Sequence, residues 1–365
     1  MNTAFIWDDN FRKDHKTGNQ QLDFSENSIS TDIEFENPRR AGLVFDVLQQ
    51  TKIIKNMKQF SPLEATIKDL RRVHSEHMVQ KVIKANNSPK LTEVGPSAFA
   101  ASGSYETAKL AAGGAMKAVD VLFTEKHINR SYACIRPPGH HATRNESLGF
   151  CLFNNVAIAA EYSREKYGVK KILIIDWDVH HGNGTQDIFY HDHNTCFISI
   201  HQEFNYPTTG GALSETGSES GEGYNINIPL PPGCGDEEYI SVLNNIVKPV
   251  GEAFNPDLIL LSAGQDPNLY DPLGRMMVTR EGFRQMARTV RQMADQICEG
   301  KLAVIQEGGY SLSYHPIATL GLVEGLVDCV FSQTFTIEQD HPLNHYPIPI
   351  DRLIERIKYN VPLIS

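Results

Sequence analysis

The stretch from Lys171 to Gly184, KILIIDWDVHHGNG, constrains this chain most. Lys171 to Ile175 is a short, largely β-branched run without Gly or Pro, and it breaks at once into polar residues. Such a run reads as a buried parallel strand whose carboxyl end opens into a site. Strand side chains alternate between faces, which puts Asp176, Asp178 and His180 on one side. Two carboxylates and an imidazole are costly to bury unpaired, and a divalent cation would compensate them. A solvated loop would carry the same residue types, so the reading needs support from elsewhere in the chain.

Asp257 to Ser262, DLILLS, reads as a second buried strand, and Asp266 follows it in AGQDPNLYDPLG. Asp178, His180 and Asp266 would then make a site of three protein ligands. Structural zinc sites are usually closed by four ligands, whereas three leave room for water and substrate. Carboxylate and imidazole ligands suit Zn²⁺, and also Fe²⁺ or Mn²⁺. His140 and His141 follow Pro137-Pro138-Gly139, where the prolines restrict the backbone and Gly139 permits a tight turn. A tandem His pair beside a metal can take and return the proton of a water, although by itself a surface loop with two His is the plainer reading. Tyr310 follows Gly308-Gly309, a flexible backbone that could bring its hydroxyl to a developing oxyanion. Phe150, after Gly149, reads as a core aromatic more readily than as a channel wall.

Further strands are expected at Thr3 to Trp7, Ser131 to Ile135, Cys196 to Ile200 and Leu302 to Gln306. Helices are expected over Arg39–Gln50, Ser75–Ala85, Ser102–Phe123, from Asn154 or Asn155 to Tyr167, and over Gln186–Tyr190. More follow over Asp236–Val250, Arg280–Cys298, Ile317–Val330 and Asp351–Lys358. Gly113 and Gly114 inside the third helix of this series, Ser102–Phe123, suggest close packing on a neighbour. Asn19–Ile33 reads as surface loop, and the Gly- and Pro-rich residues 201–235 as mostly loop. Strands alternating with helices imply an α/β fold with a parallel sheet covered on both faces. The polar clusters all follow strands, where open α/β sheets bind ligands. No repeat or linker divides the chain, so one domain over residues 1–365 is expected.

Composition narrows the partners. Hydrophobic residues make up 41% and charged residues 21%, ordinary values for a globular protein. A formal net charge of -10 argues against phosphate-backbone binding, hence against nucleic acid, and is compatible with a cationic substrate. No run of about 18 apolar residues exists, so no membrane span is expected. The N-terminus lacks the pattern of a signal peptide, and Cys134, Cys151, Cys196, Cys234, Cys298 and Cys329 include no C-x-x-C. Reduced thiols and a cytoplasmic location are the expectation.

Five motifs occur in order: RPPGHHA (Arg136–Ala142), GFCLFNN (Gly149–Asn155), IIDWDVHHGNGTQ (Ile174–Gln186), SAGQDPNLYDPLG (Ser262–Gly274) and EGGY (Glu307–Tyr310). Together, over about residues 37–320, they resemble the zinc-dependent histone deacetylase family, with its acetylpolyamine amidohydrolase relatives and arginase-type α/β fold. HHGNG, with Asn183, resembles the class II branch and its bacterial amidohydrolases. The resemblance implies a single domain with a central, mostly parallel sheet of about eight strands and helices on both faces.

It also implies roles. Asp178, His180 and Asp266 would bind one Zn²⁺, with Fe²⁺ allowed. His141 would be general base and then general acid; His140, oriented by Asp176, would hydrogen-bond the water; Asn183 would lie behind His141. Tyr310 would hydrogen-bond the oxyanion. Gly149, Phe150, Tyr206, Leu273 and Gly308 would form the substrate channel, with Leu273 at its rim. A structural K⁺ would be held by the Asp176 and Ser199 side chains with carbonyls of Asp178, His180 and Ile200. A second K⁺ would take carbonyls of Phe189, Asp192, Thr195 and Tyr224. The chain departs from many relatives at Gln265 and Tyr206, where Phe is usual, and aligns poorly from Gln202 to Gly223 beyond Tyr206-Pro207.

The implied reaction is hydrolysis of an N-ε-acyl-lysine in a protein or peptide. An alternative keeps the chemistry and changes the substrate to a small acylated amine, an acetylpolyamine. Such a pocket would favour an acidic gatekeeper for the second cationic amine, and Leu273 offers none. A non-catalytic acyl-lysine-binding module is disfavoured because every presumed catalytic group is present. A two-metal arginase-like site would want more carboxylates than the motifs supply. A homo-oligomer is compatible with the sequence, which does not fix the assembly.

Overall fold

A run apolar at every position stays dry only inside a sheet covered on both faces, and Ile172–Ile175 lies there. The computed structural model describes residues 1–13, 15, 21–24, 27–30, 34–339 and 347–364. In chain order the strands are β1 (Thr3–Ile6), β2 (Gln21–Phe24), β3 (Asn27–Ser30), β4 (Lys58–Phe60), β5 (Thr92–Gly95) and β6 (Ala98–Ala100). They continue with β7 (Arg130–Ala133), β8 (Ile172–Asp176), β9 (Thr195–Gln202), β10 (Asn225–Leu230), β11 (Leu258–Ala263) and β12 (Leu302–Gln306). Eight of them form one sheet in the order β10-β9-β8-β11-β12-β7-β1-β4. Every neighbouring pair in it is parallel. β8, β9, β11 and β12 are buried throughout.

Helices cover both faces. In β1, Phe5 stacks on Phe45 of the helix Arg39–Gln50. The next residue, Ile6, points the other way, towards Gly114 of the helix Ser104–Thr124. A Cβ at Gly113 would lie 1.7 Å from the Leu63 carbonyl oxygen and one at Gly114 2.6 Å from an Ile135 methyl. The two glycines therefore permit the close packing that their position inside an Ala-rich helix suggests. Ser104–Thr124 packs on Asn155–Tyr167, and His315–Val327 on Arg280–Ile297 and Arg39–Gln50. Asn154 caps its helix by accepting from Ala157 N at 3.0 Å. Among the described residues, no helix is long and apolar enough to cross a membrane.

Several elements differ from expectation. The Gly/Pro-rich residues 201–235 contain β10, which pairs with β9 from Asn225↔Phe197 to Leu230↔Gln202. β10 is an edge strand, so Pro229 can sit in it without breaking a ladder on both sides. Within Asn19–Ile33, β2 and β3 form an antiparallel hairpin rather than loop; the rest of that stretch lies outside the described residues. The three-residue edge strand β4 and the β5–β6 hairpin carry too little periodicity to announce themselves. The helix expected over Asp236–Val250 passes through a π turn at Leu243–Val247 and continues to Phe254. The helix after β8 begins at Asn183 and ends at Phe189, and the one expected over Ile317–Val330 spans His315–Val327.

The sheet order places the polar segments side by side. β8, β11, β12 and β7 are consecutive neighbours. Their carboxyl ends lead into Trp177–His181, Gly264–Asp271, Glu307–Tyr310 and Arg136–His141 respectively.

Candidate active site

Asp176 is the last residue of β8 and lies between Ser262 of β11 and Ser199 of β9 in the ladder. Beyond it the strand has ended, so alternation is not what gathers the polar side chains. Two short side-chain-to-backbone turns do so: Asp178 N donates to Asp176 Oδ1 and His180 N to Asp178 Oδ1, both at 3.0 Å. Asp266 arrives from the β11 end. Ligand atoms of Asp178, His180 and Asp266 all lie within 4.8 Å of one another, and all three residues are buried. His180 Nδ1 is 3.0 Å from Asp178 Oδ1 and 3.2 Å from Asp266 Oδ2.

Backbone amides hold the outer oxygens. Gly308 N donates to Asp178 Oδ2 at 2.9 Å and Val179 N to Asp266 Oδ1 at 2.8 Å. Asp266 Oδ2 is buried and accepts no hydrogen bond. An orphaned carboxylate oxygen beside an imidazole and a second carboxylate is what a divalent cation would satisfy, and the donor set fits one. The electrostatics agree. Burial would lower the His180 pKa, but Asp178 and Asp266 push it up to about 10. Burial first, and then the neighbouring Asp178, raise Asp266. The cluster demands positive charge at its centre.

The His pair sits beside it. Gly139 N and His140 N donate to Glu307 Oε2 at 2.6 and 3.1 Å, so the acid of E-G-G-Y anchors the P-P-G-H-H loop. Ser262 Oγ donates to the other oxygen of Glu307 at 3.2 Å. Burial pushes Glu307 up to about 7. Sequence reasoning overlooked Glu307, although its place at a strand end was the same signal that singled out Asp176. Gly139 is there for space, because a Cβ would lie 2.4 Å from Asn155 N.

The two imidazoles differ in charge. His140 Nδ1 pairs with Asp176 Oδ2 at 3.0 Å. Against the effect of burial, Asp178 and Asp176 push His140 up to about 10. His141 Nδ1 meets a neutral amide oxygen, Asn183 Oδ1, at 2.7 Å. Burial, and then the charges of His140 and His180, hold His141 well below its ordinary pKa. With Asn183 Oδ1 as acceptor, Nδ1 carries the hydrogen and Nε2 remains the basic nitrogen.

Tyr310 is set rigidly. Gly309 has φ +118°, which favours glycine, and a Cβ there would lie 2.2 Å from His315 Nδ1. Gly308 serves space rather than flexibility: its Cβ would lie 2.2 Å from Asp266 Oδ2 and 2.6 Å from Asp178 Oδ2. It stands behind the ligand carboxylates instead of lining the channel as expected. The Arg40 guanidinium lies 4.6 Å from the Tyr310 ring centre. It donates to Gly309 O and Glu307 O at 2.7 Å each and to Glu36 Oε1 at 2.9 Å. Glu36 in turn takes a bidentate pair from Arg136, at 2.9 and 2.7 Å. Burial keeps the Tyr310 phenol far above its ordinary pKa, hence a neutral donor. No sequence motif marked Arg40, which sits in an ordinary helix.

A cavity of 180 Å³ leads to this cluster. The expected Gly149, Phe150, Tyr206 and Leu273 line it, with His141, His180 and Tyr310 at its inner end. Ser97 and Asn205 also line it and were not foreseen. Gly149, Phe150 and Ser97 have φ of +50°, +65° and +56°. For Phe150 and Ser97 that conformation is strained, and Phe150 N is fastened to Ser97 O at 2.9 Å. Gln265 is buried yet satisfied: its amide donates to Ala263 O at 3.0 Å and accepts from Gln306, which Tyr132 also contacts.

A sequence model described as the histone deacetylase domain matches residues 34–326. A "Histone deacetylase-like amidohydrolase" of Pseudomonas aeruginosa is 37% identical over 291 residues, covering 80% of this chain and 76% of that protein. A "Probable deacetylase" of Archaeoglobus fulgidus is 36% identical over 333 residues, covering 89% and 90%. Among solved structures, the HDA15 HD domain superposes with a TM-score of 0.79 at 32% identity, covering 92% of this chain and 91% of that one.

Proposed function

This chain belongs to the histone deacetylase family, and from that premise we propose that it removes acyl groups, acetyl foremost, from N-ε-acyl-lysine in a Zn²⁺-dependent reaction. Deacetylase chemistry on amides comes with the family; ion, substrate and residue roles are our reading. The observation that carries it is the buried Asp178–His180–Asp266 cluster with a neutral His141 and a neutral Tyr310 at the inner end of one channel.

A divalent ion held by Asp178, His180 and Asp266 would supply Lewis-acid polarisation of the amide carbonyl and lower the pKa of a water. His141 Nε2 takes the proton of the attacking water and returns it to the departing lysine amine. His140, tied through Nδ1 to Asp176, is oriented to hydrogen-bond the water. Tyr310 donates its hydroxyl hydrogen to the oxyanion as the carbonyl carbon becomes tetrahedral. Phe150 and Tyr206 exclude bulk water and flank the lysine stem. The Asp176 and Ser199 side chains, cross-strand neighbours, are assigned a structural K⁺ on the family pattern, and the turn from Phe189 to Thr195 a second.

Among the described residues that line the channel none is acidic, and Leu273 at its mouth is apolar. This favours acyl-lysine in a protein or peptide over an acetylpolyamine, whose second ammonium would find no carboxylate. The single continuous sheet supports one deacetylase domain, and six unpaired cysteines support a cytoplasmic setting. The test is a kcat/KM profile of the zinc-loaded enzyme on acetyl-lysine peptides, longer acyl-lysine peptides and acetylspermidine, with metal counted per chain. Acetyl-lysine peptides should lead, at one divalent ion per chain. Preference for acetylspermidine would overturn the substrate, and two ions per chain the site.

A further inference from the structure

Asp271 is buried, 8% exposed, and lies outside the ligand set. Four donors and no acceptor converge on its carboxylate. Oδ2 accepts from Tyr310 N at 2.7 Å, Ser311 N at 3.3 Å and Asn268 Nδ2 at 3.3 Å. Oδ1 accepts from Leu273 N at 3.0 Å. The same carboxylate thus holds the backbone of the oxyanion donor and the backbone of the channel rim.

The chain of bonds continues across the mouth. Leu273 O accepts from Asn205 Nδ2 at 3.1 Å, and Asn205 Oδ1 accepts from Tyr206 N at 2.8 Å. Tyr206, Asn205, Leu273 and Tyr310 all line the channel. One hydrogen-bonded path therefore runs from the wall at Tyr206, through the rim, to Tyr310, and Asp271 is the link nearest the chemistry. We propose that Asp271 is a positioning residue that fixes Tyr310 and the rim as one unit, so that the seating of a substrate at Leu273 is felt at the oxyanion donor. The proposal rests on the reading of Tyr310 given above.

Asn at this position has nearly the same shape, but it presents one acceptor and one NH₂. Either orientation turns an N–H towards Leu273 N or towards the Tyr310–Ser311 pair. Asp271→Asn therefore breaks one half of the clamp without opening a cavity. A misplacement of about 1 Å in a reacting group can cost roughly 10²-fold in rate, and KM should move far less.

The experiment is a double-mutant cycle. Single-turnover rates on an acetyl-lysine peptide are measured for the wild type, Asp271→Asn, Tyr310→Phe and the double variant, with zinc content and melting temperature on the same samples. If Asp271 acts through the Tyr310 hydroxyl, its loss should cost less than about threefold once that hydroxyl is gone, because contacting groups couple rather than add. Additive losses, or an Asp271→Asn rate equal to wild type, overturn the proposal. A merely structural role would lower the melting temperature and slow both backgrounds alike. Should Asp271→Asn fail to fold or to hold zinc, the same cycle with Asn205→Ala, which loosens only the rim end of the path, decides by the same criterion. A wild-type rate for Tyr310→Phe alone would show instead that the reading of Tyr310 is wrong, and would take the proposal down with it.

Discussion

Gly308→Ala isolates the geometry of the metal ligands. The backbone at Gly308 is not left-handed, so alanine meets no conformational penalty there. Only space is at stake. The added Cβ would lie 2.2 Å from Asp266 Oδ2 and 2.6 Å from Asp178 Oδ2, against an ordinary contact from 3.4 Å upward, so the overlap with Asp266 is 3.4 − 2.2 = 1.2 Å. Neither carboxylate can retreat freely. Asp178 Oδ2 is held by Gly308's own N–H at 2.9 Å and Asp266 Oδ1 by Val179 N at 2.8 Å. The ligands must part or the strand end must shift, by about 1 Å in either case.

Disturbing the groups that orient metal ligands typically costs ~10–100-fold in metal affinity, or about 1.4–2.8 kcal/mol. Overpacking a buried site typically costs a further ~1–3 kcal/mol of stability. The assay is competition for Zn²⁺ against a chelator of known affinity, read on the protein itself, with melting curves of the metal-free form. Gly309→Ala is the control. It collides with His315 and forces a left-handed alanine at Tyr310's door, so it should lower kcat while leaving Zn²⁺ affinity within about threefold of wild type. If Gly308→Ala binds Zn²⁺ as tightly as wild type, the three side chains are not the ligands, or the strand end is soft enough to make the distance argument void.

Three further outcomes follow from the same geometry. Tyr310→Phe removes one oxyanion donor and should lower kcat by roughly 10²–10³ with zinc content unchanged; unchanged turnover removes the hydroxyl from the mechanism. Leu273→Glu puts a carboxylate at the rim and should raise kcat/KM for acetylspermidine relative to an acetyl-lysine peptide; an unaltered ratio means that Leu273 does not meet the substrate. Glu36 is the third case: burial would raise it, but Arg136 and Arg40 hold it at about 2, below the ordinary 4.5. Its folded pKa is depressed, so its stabilisation is complete above about pH 4.5 and fades as pH falls towards 2; the shift, 4.5 − 2, corresponds to ~3 kcal/mol. Glu36→Gln should flatten stability between those pH values, and at neutral pH it should cost ~3–5 kcal/mol by stranding two buried guanidinium groups. Chemical denaturation across that range checks it, and a wild-type slope would refute it.

What could be read from sequence, and what could not, divides by distance along the chain. Asp176, Asp178 and His180 are neighbours in sequence, so their convergence was legible even though its cause was misjudged: side-chain turns, not strand alternation, bring them together. The strands β8, β9, β11 and β12 were legible because burial on both faces leaves short, largely apolar runs. β10 was missed although Asn225, Ile226, Asn227 and Ile228 alternate, because the surrounding Gly and Pro masked a strand that needs only one partner. Arg40 left no local trace; Glu307 and Asp271 stand in the EGGY and SAGQDPNLYDPLG motifs, but nothing local shows what they hold. Arg40 reaches Gly309 across 269 positions, Glu307 reaches Gly139 across 168, and Asp271 reaches Tyr310 across 39. These residues hold reacting groups by their backbones, and a backbone contact leaves no signature at the position that receives it.

The same distinction explains the glycines. Sequence alone assigned Gly139, Gly308 and Gly309 to turns and flexibility. Only Gly309 of the three has a left-handed φ, and all three stand where a Cβ would strike another buried group within 2.4 Å. Buried carboxylates and imidazoles repel apolar filling and need backbone N–H groups as partners. At Gly308 a side chain would strike the two ligand carboxylates and at Gly139 it would strike Asn155, so at these two positions the backbone can sit that close only without one. The glycines at the strand ends are therefore part of the electrostatics of the site: they let Gly308 N reach Asp178 and Gly139 N reach Glu307. Replacing them changes where the charges sit before it changes how freely the chain moves.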